Sequence, residues 1–141
     1  MRNKGFTLIE LLTVIAIIAI LAAIVLVTFP MAQDRARDAR LINAMQQLRT
    51  AAEASYGAYG DYREIKTTGS DDSTIDELMG EIYAIKGEYP VVNLEDDEGV
   101  KVGYCIRIGL FAGSRSWCVD SDMFSDYVTG TPCTALSVGC E

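Results

Sequence analysis

The sequence predicts an α+β protein, with a long N-terminal helix, membrane-spanning in its first half, packed on a small antiparallel β-sheet head. Three observations carry this. Residues 6–29 of the 141-residue chain are apolar apart from Thr7, Glu10, Thr13 and Thr28. Residues 31–56 lack Gly and Pro and are rich in Ala, Arg, Gln and Leu, all good helix formers. Beyond Gly57 the chain turns to shorter segments with strand-like alternation, clearest in Val102, Tyr104, Ile106 and Ile108.

As a helix, residues 6–29 run about 36 Å, enough to cross a hydrocarbon core of about 30 Å. Glu10 lies one turn inside, and a carboxylate in lipid is costly unless something pairs with it. A secretory signal peptide would be shorter and would end in an A-x-A-like site; the only Ala-x-Ala here is Ala52-Glu53-Ala54. A plain single-span anchor leaves Glu10 unexplained. Cleavage between Gly5 and Phe6 removes the basic leader with Arg2 and Lys4 and creates an α-amine a helical turn from Glu10. An amine and a carboxylate from neighbouring subunits, about 4 Å apart, attract by roughly 4 kcal/mol at a moderate effective dielectric. Glu10 is then a device for setting subunit register.

Gly5-Phe6-Thr7-Leu8-Ile9-Glu10, followed by Leu11-Leu12-Thr13-Val14-Ile15-Ala16-Ile17-Ile18, resembles the class III signal of type IV pilins and type II secretion pseudopilins. The resemblance covers the first quarter of the chain. It implies a prepilin peptidase that cuts after Gly5 and methylates Phe6, and a register role for Glu10 in a helical filament. The chain differs from the usual pattern in having Ala19 where a glycine is common and in the later position of Pro30.

Past Pro30 the helix is expected to continue with a kink. Leu41, Met45, Leu48, Ala52 and Tyr56 recur at helical spacing and form its apolar face. Asp34 with Arg37, and Arg35 with Asp38, have the i,i+3 spacing of ion pairs; they read as a solvated surface or an inter-subunit belt. Ala19 and Ala23 fit the small-xxx-small pattern of close helix approach. Gly57 and Gly60 end the helix. The expected organisation is a leader at 1–5, a membrane and filament-core helix at 6–29, its amphipathic continuation at 30–56 and a head at 57–141.

Within the head, Thr74 and Glu77 have capping-box spacing, so a short helix is expected from Thr74. Pro90 favours extended backbone around it. Residues 100–111 and 116–119 read as antiparallel strands, with the even-numbered apolar residues facing the helix and Cys105 on the opposite face. Trp117 is a core or rim aromatic. Glu95-Asp96-Asp97-Glu98 reads as an exposed turn, and residues 120–141 as irregular.

Cys105, Cys118, Cys133 and Cys140 all follow the span. With no C-x-x-C pair and no histidine, they read as two disulfides, for which three pairings exist. The shortest loops favour Cys105–Cys118 and Cys133–Cys140. Basic residues flank the span on both sides, so the positive-inside rule alone does not orient it. Disulfides do: they place the head outside the cytoplasm.

Residues from Gly57 onward hold six basic and sixteen acidic side chains, a charge of −10 against +2 before them. Such a surface favours solubility and disfavours nucleic acid. The absence of histidine excludes Ser-His-Asp and Cys-His catalysis, and no Gly-rich phosphate loop appears. No enzymatic role is expected. In some pseudopilins, as the resemblance implies, calcium orders the C-terminal loop; Asp120, Asp122 and Asp126 could supply oxygen ligands, although the EF-hand spacing is lacking. The expected function is a structural subunit of a homo-oligomeric pilus-like filament, held in membrane lipid before assembly. The resemblance implies a prepilin peptidase, an assembly ATPase and an inner-membrane platform as partners. A major pseudopilin acting as a periplasmic piston and a monomeric anchored binding module are the alternatives.

Overall fold

A computed structural model describes residues 5–133 and 139–140. In chain order it contains α1 (Leu8–Tyr59), α2 (Ser73–Lys86), β1 (Val91–Asp97), β2 (Val100–Gly109), β3 (Ser116–Asp120) and β4 (Ser125–Val128). The strands form one antiparallel meander, β1-β2-β3-β4. The chain divides into two compact units, the first closing at Asp34 and the second opening at Arg35.

The first unit holds the apolar part of α1, which is long and apolar enough to cross a membrane. Its large apolar side chains between positions 6 and 29 are 46 % to 81 % exposed. The hydroxyl of Thr13 donates to Glu10 O at 3.0 Å and that of Thr28 to Ile24 O at 3.1 Å. These polar groups are thus satisfied within the helix, as a lipid environment requires. Pro30 lies inside α1, which is helical throughout.

The second unit has its own core. Leu41, Ala44, Met45, Leu48 and Ala52 of α1 are buried with Ile75, Leu78, Met79 and Ile82 of α2. They cluster with Tyr104, Ile106 and Ile108 of β2 and Trp117 and Val119 of β3. Tyr56, expected on the same stripe, is 41 % exposed because the helix ends just beyond it. Gly60 terminates α1 in the left-handed region, at φ 79°, and its N–H donates to Tyr56 O at 2.7 Å. A glycine occupies that conformation without the steric penalty of a side chain.

The start of α2 corrects the expected cap. Asp72, not Thr74, is the N-cap, and its Oδ1 accepts from the N–H groups of Thr74 and Ile75 at 2.9 and 3.4 Å. Asp76 in the first turn and Lys86 in the last complement the helix dipole. Gly87, at φ 82°, ends the helix.

Side chains join these layers. Asp38 turns inward instead of pairing with Arg35: its carboxylate accepts from Phe111 N–H at 2.6 Å and Ala112 N–H at 2.9 Å, tying the β2–β3 loop to α1. Glu53 accepts from the hydroxyls of Tyr62 and Tyr104, both at 3.0 Å. Burial, with Glu53 adding to it, pushes the Tyr62 phenol up to about 12, and the Tyr104 phenol is raised for the same reasons.

Two features of the sheet departed from its sequence pattern. Glu95 pairs with Gly103 and Asp96 with Lys101, leaving Val102 as the extra residue of a β-bulge. Val102 is accordingly 42 % exposed instead of facing the helices. Glu95, Asp96 and Asp97 belong to β1, so the acidic turn is confined to Glu98 and Gly99. β4 occupies part of the region expected to be irregular.

The disulfides differ from the expected pairing. Cys105 joins Cys133, with Cα atoms 5.4 Å apart, and Cys118 joins Cys140, at 5.8 Å. The register explains why Cys105 and Cys118 do not pair. Cys105 lies opposite Asp120 and Cys118 opposite Arg107, which makes the two cysteines diagonal neighbours. Diagonal positions are about 7–8 Å apart, beyond the usual disulfide span of about 4.4–6.8 Å. Each strand cysteine instead takes a partner from the C-terminal segment. The four sulfurs, all buried, lie within 4.8 Å of one another on the sheet face away from the helices, with Val128 and Phe124 beside them. Cys133, Cys140, Val128 and Phe124 therefore help bury Cys105 on that face.

Candidate functional site

The processing and assembly site suggested by the sequence lies at the start of α1. Gly5, Phe6 and Thr7 precede the helix in irregular backbone, and all three are exposed. The Gly5–Phe6 bond is thus outside any helical hydrogen-bond ladder. A side chain at position 5 would meet nothing within 4 Å, and Gly5 has no left-handed φ. The described packing places no steric demand for glycine there. Phe6 is 76 % exposed.

Glu10 has a local partner that the sequence reading did not assign. Thr7 is the residue before α1, and Glu10 lies three positions on. Glu10 Oε2 accepts from Thr7 N–H at 2.9 Å and from the Thr7 hydroxyl at 2.7 Å. Glu10 N–H in turn donates to Thr7 Oγ1 at 3.3 Å. This is a reciprocal capping box, and the Thr-x-x-Glu spacing was its signal. In the single chain the carboxylate therefore has donors of its own. An incoming amine would add charge neutralisation to an already oriented carboxylate. Ala19 and Ala23 lie on the exposed surface of the same helix.

The acidic trio considered as calcium ligands takes different roles. Asp120 is buried; its Oδ1 accepts from Asp122 N–H at 3.0 Å and Phe124 N–H at 2.9 Å, and its Oδ2 from Cys140 N–H at 3.1 Å. Asp126 accepts from its neighbour Tyr127 N–H at 2.7 Å, and Asp122 is exposed. The three carboxylates do not gather into a ligand group among the described residues. Asp120 instead organises the β3–β4 turn and holds the chain beside Cys140. The cysteine quartet does gather, but its sulfurs are spent in disulfides.

A cavity of about 500 Å³ in the head lies between α1 and α2 and is lined by Thr50, Ala54, Glu77 and Glu81 among others. It holds no arrangement of nucleophile, base and orienting group.

A comparison with protein families matches residues 1–26 to the prokaryotic N-terminal methylation motif. No curated protein and no solved structure matches the chain. The motif implies processing by a prepilin peptidase and assembly into a filament. With its long apolar helix and four-stranded head, the chain has a pilin-like α+β architecture and carries the class III signal of type IV pilins and pseudopilins.

Proposed function

We propose that this protein is the structural subunit of a type IV pilus-like filament. It is stored as a precursor anchored by residues 6–29, with its head outside the cytoplasm. A prepilin peptidase cuts between Gly5 and Phe6, and the mature chain assembles through its apolar helix. One observation carries the proposal: a methylation motif leads directly into a helix whose apolar side chains are exposed among the described residues. Lipid supplies that cover before assembly and neighbouring copies supply it afterwards. An assembly ATPase and a membrane platform provide the work of extraction. The role is structural, and the chain contributes packing and register.

Intact mass and N-terminal peptide mapping of membrane and mechanically sheared fractions from the native host test this. Chains beginning at N-methylated Phe6 in the sheared fraction are expected. Methylated chains confined to the membrane would favour a secretion pseudopilus, and chains that all retain Met1 would leave only an anchored binding module. Glu10→Ala sharpens the distinction, because it should abolish assembly of a filament subunit yet leave an anchored module unaffected.

A further inference from the structure

The head carries a region of charge opposite to its overall sign. Arg35, Arg37 and Arg40 follow the apolar run on α1, and all three are exposed. Folding adds two cations from distant sequence. Lys86 Nζ lies 4.2 Å from the centroid of the Phe111 ring, which Arg37 also faces at 5.4 Å. Arg115 lines the same cavity as Arg35 and stacks on Tyr127, 4.3 Å from its centroid. Arg37 and Arg40 share another cavity with Glu81. Among the described residues, the acids that line these two cavities are Asp38 and Glu81, and Asp38 is committed to the backbone of the β2–β3 loop. Five cations therefore gather around these cavities and ring contacts, in a head whose residues from Gly57 onward carry −10.

We propose that this basic collar binds the anionic phosphate headgroups of phospholipids while the chain is anchored in a membrane. The proposal rests on residues 6–29 being the anchor. The covalent chain argues for lipid as the occupant. Arg35 follows Phe29 by six residues, so it lies no more than about 22 Å from the end of the apolar run. Guanidinium groups bind phosphate oxygens through paired, charge-assisted hydrogen bonds, and basic side chains next to a span are attracted to anionic lipid. The cation–π contacts hold Lys86 and Arg115 over rings, which leaves less side-chain freedom to lose on binding. The headgroups would hold the collar at the bilayer surface until extraction removes the span from it.

The protein contains a native probe. Trp117 is its only tryptophan, and its ring lies 4.9 Å from that of Tyr127, on which Arg115 stacks. The full chain is reconstituted into phosphatidylcholine vesicles, with or without phosphatidylglycerol, each containing a trace of lipid with a dansyl-labelled headgroup. Energy transfer from Trp117 should rise about twofold with the anionic lipid and return to baseline in high salt. The triple substitution Arg35→Gln, Arg40→Gln and Arg115→Gln, all at exposed positions, should remove the rise. Equal transfer in both vesicles would overturn the proposal, as would transfer that follows the number of chains per vesicle, because the collar would then be meeting a second copy. Flotation separates this from failure of the anchor: a chain that does not float with either vesicle lacks the anchor itself.

Discussion

The two parts of α1 obey different rules although they share one helix. Before Asp34, apolar residues surround the helix and none is buried. After Arg35, apolar residues keep to a stripe, and Leu41, Met45, Leu48 and Ala52 are at most 1 % exposed. The all-round apolar pattern calls for an apolar medium or partner helices, whereas the striped pattern calls for a core within the same chain. The head can therefore be destabilised by one substitution, but the span responds mainly through what surrounds it.

The sharpest contrast is one truncation made twice. Leu48→Ala should destabilise the head by about 4 kcal/mol in denaturant unfolding, from lost transfer energy and a residual cavity. Leu12→Ala, in the span, should leave head unfolding unchanged. If the two substitutions had equal effects, the division at Asp34 would be wrong.

Removing a staple should come next. Replacing Cys118 and Cys140 together with serine should cost the head about 3 kcal/mol. Non-reducing peptide maps of the wild type should link Cys105 to Cys133. A Cys105–Cys118 link would refute the register described for β2 and β3.

Asp38→Ala should cost about 2 kcal/mol, because it leaves the amides of Phe111 and Ala112 without their acceptor. The loss should appear as faster amide exchange in the β2–β3 loop.

The smallest effect is one of pH. The Tyr62 phenol ionises near 10 when unfolded and near 12 in the folded head. The folded state holds the proton more tightly, so this contribution is complete below pH 10 and is lost as pH rises through 12. Tyr62→Phe should flatten that alkaline fall, measured by urea titration at successive pH values.

Much of the fold was legible because it follows local rules. The stripe on α1, the glycine stop at its end and the alternation in β2 arise from helix and strand periodicity. Other features depend on partners far away in sequence. Val102 fits the strand pattern, but a bulge against β1 turns it outward. Asp72 displaced Thr74 as the cap, and both residue types can serve there. Asp38 resembled a surface ion-pairing group until the loop at Phe111 met it. At the candidate site, Gly5, Phe6 and Glu10 were legible from spacing, and Thr7 was legible in principle through its capping-box pattern.

The sequence by itself determined the anchor, the methylation motif, the α+β class and the core-facing side of the second half of α1. These are properties of composition and period over contiguous residues. Tertiary structure alone decided which cysteines pair, which carboxylates become structural and where five cations converge. Those outcomes depend on strand register and on loops meeting helices. Contacts between residues many positions apart leave no period in the chain to read.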